Sequence, residues 1–259
     1  MTDASVHLRS DDDEGIRILT IDRPETKNAL NGPLMRGLRS AFAAADADDD
    51  VRLVVLTAVD PVFSAGVDFK QVEPGSADSG AQTGFNPASV LREMRKPVIC
   101  AVNGACVSGA LEIALSASFV IASDRARFAD THALLGVVPT WGLTALLPRA
   151  VGLRKAREMS VTGDFVHAEE ALRLGLVNHV VAHAELLPFT LEVARRIPAA
   201  AAVGDVLGLY RRGDGLPLAD ALEQEAAFTT GRTYDMAAFT AAGRAAATRG
   251  RASPESRKA

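Results

Sequence analysis

Residues 98–112 read Val98-Ile99-Cys100-Ala101-Val102-Asn103-Gly104-Ala105-Cys106-Val107-Ser108-Gly109-Ala110-Leu111-Glu112. The first five are apolar without interruption, which is the length of a strand and the pattern of one covered on both faces. Small residues then carry the chain through Asn103-Gly104 to Gly109, where residues 109–117 read as a short buried helix. Strand, tight turn and helix in that order predict an α/β unit. Unpaired N–H groups at such a helix start offer a site for developing negative charge. Glu112 lies one turn into the helix among Leu111, Ile113, Ala114 and Leu115, so its carboxylate is either paired, helping the helix dipole, or catalytic.

The same alternation extends outward. Residues 17–22 and 51–57 (VRLVVLT) read as strands, and residues 119–122 as a weaker one. Asn31-Gly32-Pro33 supplies a cap and a helix-starting proline before Leu34, Leu38 and Phe42. Strands interleaved with helices predict an α/β fold with largely parallel pairing. Residues 73–88 (EPGSADSGAQTGFNPA) lack periodicity and read as a loop. Beyond Arg149 the pattern turns helical over 153–161, 168–174 and 184–197, with a strand-like run at 176–181. An Ala-rich helical region follows from 199 to about 247, then a basic tail with Arg249, Arg251, Arg257 and Lys258. The expected division is a core over 1–198 and a helical region over 199–259.

Composition narrows the function classes. Of 259 residues 48% are hydrophobic and 23% charged, with a mean hydropathy of +0.11, as in globular chains. A net charge of −4 argues against nucleic-acid and anionic-membrane partners. Cys100 and Cys106 read as reduced, packed thiols. The acidic start (Asp11, Asp12, Asp13, Glu14) has no signal-peptide pattern, and the most apolar window, 98–107, is about half the length that crosses a bilayer. The expected compartment is the cytoplasm. No His/Cys/Asp cluster has metal spacing, and no Gly-x-Gly-x-x-Gly opens a helix after a strand, so neither a metal nor a redox cofactor is expected.

Further motifs have a shape that packing alone does not require. Arg23-Pro24 with Asn28-Ala29-Leu30-Asn31, Phe63-Ser64-Ala65-Gly66 with Asp68, and Lys96-Pro97-Val98-Ile99 leading to Asn103-Gly104 and Glu112 occur in order. Pro148-Arg149, Gly152, Thr162-Gly163 and Gly175-Leu176-Val177 continue the series. Together they resemble the crotonase superfamily of enoyl-CoA hydratases and isomerases, from about Ile16 to Val181. The resemblance implies a crotonase-like spiral of ββα units with a C-terminal helical region that builds homotrimers or hexamers. It implies an acyl-CoA or enoyl-CoA ligand, with coenzyme A entering as part of the substrate, and water adding across a 2,3 double bond. The thioester oxygen would sit between the N–H groups of Val67 and Gly109. Arg23, Lys27 and the Ala29 backbone fall where the family holds coenzyme A, and Ala65, Gly66, Asp68 and Phe69 where it lines the thioester.

The family's hydratases use two glutamates. Glu112 matches the first, but the register set by Leu135-Gly136 puts His132 at the second, with Asp130 a rival carboxylate two residues away. An imidazole can still move a proton near neutrality, so Glu112 and His132 are the expected catalytic pair. Restoring the family pair by His132→Glu is then expected to raise hydration. The family's Pro-Gly-x-Gly-Gly appears as Pro139-Thr140-Trp141-Gly142-Leu143, whose indole would narrow or reshape the acyl pocket. Alternatives are a non-catalytic acyl-CoA binder, an isomerase, or a thioester hydrolase using Ser108 and His132. Ser108 also reads as a helix cap.

Overall fold

The structure, a computed structural model, describes residues 7–68 and 86–230, together with 233, 236–237, 239–240 and 243–244. A six-stranded sheet is formed by β1 (Leu8–Asp13), β2 (Ile16–Ile21), β3 (Leu53–Ala58), β4 (Val98–Val102), β6 (Phe119–Ser123) and β9 (His179–Val181), in that spatial order. A smaller sheet joins β5 (Ala105–Val107), β7 (Arg127–Ala129) and β8 (Val166–His167). Within the large sheet β1 is antiparallel to β2, and the other pairings are parallel.

The uninterrupted apolar runs are explained by cover on both faces. Val54, Leu56, Val98, Cys100, Val102 and Val120 point into a core shared with Leu34, Leu38 and Phe42 of α1 (Gly32–Ala47), Leu91 of α2 (Pro87–Glu93) and Leu111 of α3 (Gly109–Ser116). Their neighbours Leu53, Val55, Ile99, Ala101 and Ile121 point the other way, onto Leu186, Val193 and Ala194 of α7 (Leu186–Arg196). Because side chains alternate along a strand, two covered faces demand apolar residues at every position. At α1, the Asn31 side chain accepts from the Leu34 N–H at 2.9 Å, which is the expected cap.

The chain winds as ββα units. β4 enters the large sheet, β5 the small one, and α3 follows; β6 and β7 repeat the step. The segment after β3 does likewise, Ser64 bridging Cys106 of β5 in parallel. This stacking places the links that leave the second layer, 65–68, 108–112 and 130–132, beside one another.

The acidic start pairs as β1. Residues 73–85 of the expected loop lie outside the described residues, while Pro87 and Ala88 already belong to α2, capped by Asn86, which accepts from the Ser89 N–H. The helical region expected from 199 onward holds α8 (Ala201–Gly213) and α9 (Leu218–Thr229), parted by Gly215 in the left-handed region and by Pro217. The chain divides into two compact units, Met1–Gly208 and Leu209–Ala259. The first turns of α8 stay with the first unit, where a Cβ on Gly204 would lie 2.9 Å from the Arg95 carbonyl oxygen. The basic tail also lies outside the described residues.

Candidate active site

Three links meet here, and each is shaped by its own residues. In the first, Gly66 has φ +88, and a Cβ there would lie 2.8 Å from the Val107 carbonyl oxygen, so only glycine lets residues 64–68 close onto β5. Leu30 N–H donates to the Gly66 carbonyl and Asp68 N–H to the Leu30 carbonyl, leaving the Val67 N–H between them without an acceptor among the described residues. In the second, Gly109 opens α3, and its N–H likewise finds no acceptor among the described residues. A Cβ on Gly109 would meet the Trp141 ring at 3.1 Å and the Val67 side chain at 3.2 Å. The two N–H groups assigned from sequence thus belong to neighbouring residues, under the edge of the buried indole.

The second and third links carry the titratable groups. Glu112 is 2% exposed. Its Oε1 accepts from the N–H groups of Trp141 (2.7 Å) and Leu143 (3.2 Å), the latter the first residue of α4 (Leu143–Val151). One carboxylate oxygen thus caps the start of α4, and the other faces an imidazole. The His132 Nε2 stands 3.7 Å from Glu112 Oε2, beyond hydrogen-bond reach. On the ring's other side His132 Nδ1 lies 2.6 Å from Asp130 Oδ1, which also accepts from the His132 backbone N–H. Asp130 and His132 are both buried.

Burial pushes the Glu112 carboxyl above its ordinary value of 4.5, and the Trp141 and Leu143 N–H groups and the His132 charge only partly oppose it; the Asp130 charge adds to the rise. For Asp130 burial acts in the same sense but is outweighed. Hydrogen bonds from the His132 ring, from Ser160 and from the His132 backbone hold its carboxyl below the ordinary value. One carboxyl is thus pushed toward holding a proton and the other toward releasing it, with the imidazole between them.

The remaining sequence assignments separate. Arg23 is 5% exposed, and its guanidinium donates to the Ala29 carbonyl (3.0 Å) and to Asp68 (2.7 Å). Its burial and these partners hold it as an internal brace inside the link that presents Val67. Asp68 is the other half of that brace. Lys27 is exposed at a left-handed turn, with its carbonyl accepting from the N–H of exposed Ala65. Phe69 lies outside the described residues. Ser108 does not cap α3: its Oγ accepts from the Thr131 N–H (2.9 Å) and lies 2.8 Å from Thr131 Oγ1. With the ring nitrogens of His132 directed at Asp130 and Glu112, Ser108 and His132 do not form a nucleophile–base pair.

Comparison with known proteins agrees with this geometry. Residues 11–229 match the model of the enoyl-CoA hydratase/isomerase family. The crotonyl-CoA hydratase of Syntrophomonas wolfei is 38% identical over 189 residues, covering 71% of this chain and 73% of that protein. The short-chain-enoyl-CoA hydratase of Clostridium acetobutylicum is 36% identical over 192 residues, covering 73% and 74%. The crystal structure of an enoyl-CoA hydratase from Mycobacterium tuberculosis superposes with a TM-score of 0.70 at 44% identity, covering 85% and 90% of the two chains.

Proposed function

The chain belongs to the enoyl-CoA hydratase/isomerase family, and on that premise we propose that it is an enzyme that adds water across the 2,3 double bond of an enoyl-CoA thioester. The observation that carries the reading is the pair of N–H groups on Val67 and Gly109 that find no acceptor among the described residues, together with the facing Glu112 and His132. The thioester oxygen accepts from both N–H groups and is stabilised as negative charge builds on it. Each such donor is worth roughly 3–4 kcal/mol of barrier. Glu112 takes a proton from water as the oxygen bonds to C3, and His132 Nε2 gives a proton to C2. Return of the proton from Glu112 to His132 restores both groups, so the product is the 3-hydroxyacyl thioester and no charge is left over. Proton transfers suffice for this chemistry, without a metal or redox cofactor. Lys27, an exposed cation whose carbonyl accepts from the Ala65 N–H, suits the coenzyme A phosphates. Incubation with a series of enoyl-CoA thioesters, followed by mass spectrometry, tests the reading; hydrated products are expected.

A homotrimer or hexamer in the cytoplasm is part of the same proposal. Two observations support it. α9 buries none of its residues, leaving Leu218 (75%) and Leu222 (57%) exposed, as an interface helix would. Cys100 and Cys106 are buried free thiols, in keeping with a reducing compartment. Among the described residues no helix is long and apolar enough to cross a membrane. Light scattering at micromolar concentration is expected to give a multiple of three chain masses, and a monomer would contradict the assembly.

A further inference from the structure

The link of residues 130–132 contains a group that the hydration scheme above leaves without a task. We propose that Asp130 is a positioning residue: it holds the His132 ring by its Nδ1–H, so that Nε2 alone is presented to the reacting carbons, and it balances the imidazolium that forms when His132 carries the proton destined for C2. This rests on the hydratase reading and adds a residue to it.

The geometry has three parts. The 2.6 Å approach of Asp130 Oδ1 to Nδ1 is a short, charge-assisted contact, and the same oxygen accepts from the His132 backbone N–H at 3.1 Å, closing a two-residue Asx turn. The ring is therefore fixed at both its backbone and its edge. The carboxylate itself is anchored: Asp130 is 1% exposed, and Ser160 of α5 (Leu153–Thr162) donates to it. Finally, Nε2 faces Glu112 Oε2 at 3.7 Å, so the nitrogen that Asp130 leaves bare is the one on the catalytic side. An imidazole with one nitrogen bonded to a buried carboxylate has its tautomer set by that bond.

The charged surroundings agree. Glu112 faces the ring from α3. Lys155 of α5 is engaged by Glu158 and Glu170. Arg92 of α2 donates to the Trp141 carbonyl, one residue from the N–H that binds Glu112. Asp130 is thus the one carboxylate in hydrogen-bond contact with the ring among the described residues.

Asp130→Asn tests this, with two readouts. Long-range proton–nitrogen NMR of the histidine rings, with His132 identified among five by the His132→Gln variant, reads the tautomer without any substrate. In the wild type the neutral ring is expected to carry its proton on Nδ1, and in Asp130→Asn that preference is lost. Kinetically, kcat is expected to fall about tenfold or more while KM stays within a few-fold. A merely structural aspartate would lower the active fraction and leave the tautomer unmoved. A wild-type ring protonated on Nε2, or an Asp130→Asn enzyme with an unchanged tautomer, overturns the inference. A wild-type protein that shows the Nδ1–H ring yet hydrates no enoyl-CoA upholds the Asp130 contact and overturns the hydratase reading instead.

Discussion

Glu112→Gln lowers the rate of enoyl-CoA hydration by about 10² to 10⁴ while leaving thioester affinity within a few-fold of wild type. The amide keeps an oxygen for the Trp141 and Leu143 N–H groups, so the start of α4 stays capped and the fold is retained. What disappears is the oxygen that faces His132 and takes the proton from water. The wild-type pH profile carries the same signature. Burial holds the Glu112 carboxyl above 4.5, and the base is its ionised form, so kcat/KM falls as pH drops through that raised value. The residual rate of Glu112→Gln lacks this limb. Stopped assays of both proteins across the acid range check it; an unchanged rate in Glu112→Gln would remove Glu112 from the chemistry.

Asp68→Ala destabilises the protein by about 3–5 kcal/mol, because it strands a buried guanidinium. The Arg23 side chain is 6% exposed and that of Asp68 10%, with 2.7 Å between the charged atoms. Once the carboxylate is removed, Arg23 keeps the Ala29 carbonyl and a distant, exposed Glu25 at 3.9 Å. Neither compensates a cation out of water. The Arg9–Asp22 pair is a built-in contrast, its side chains 56% and 34% exposed, and Arg9→Ala is expected to cost at most about 1 kcal/mol. Urea unfolding of the three proteins at one concentration measures the difference. Near-equal midpoints for Asp68→Ala and wild type would mean that the brace contributes nothing to holding the Val67 link.

Much of this was legible in the sequence for a physical reason. β3 and β4 announce themselves because two covered faces leave nearly every position apolar, and α1 and α6 (Ala168–Leu174) because Asn31 and Gly175 mark where they start and stop. β1 was hidden: as an edge strand it needs no apolar face, and LRSDDD carries the charges that keep an edge from pairing with other chains. β5, β7 and β8, of two or three residues each, are too short for any periodicity to register. At the site, motif register singled out Glu112, His132, Val67 and Gly109, since family spacing is itself set by the spiral. It gave no sign of the Arg23–Asp68 pair, whose partners lie 45 residues apart, nor of the Asp130–His132 contact. The Asp-Thr-His spacing of an Asx turn was the signal that could have joined the two.

That contact reverses one expectation. His132→Glu does bring back the family's second glutamate, but into the space between Asp130 and Glu112, where the imidazole now sits 2.6 Å from one carboxylate and 3.7 Å from the other. Three carboxylates in a buried site repel one another. His132→Glu alone is therefore expected to hydrate crotonyl-CoA several-fold more slowly than wild type, and His132→Glu combined with Asp130→Asn to recover part of the loss. Steady-state rates of the three proteins decide it.

The central claim is that the two N–H groups, Glu112 and His132 together add water to an enoyl thioester. Its most direct measurement is the incubation of purified protein with crotonyl-CoA in heavy-oxygen water, followed by mass spectrometry of the thioester. The account predicts 3-hydroxybutyryl-CoA bearing one heavy oxygen on the acyl chain, formed by wild type and nearly absent with Glu112→Gln. Unchanged crotonyl-CoA bound by an inert protein, or free coenzyme A with a released acid, would contradict it.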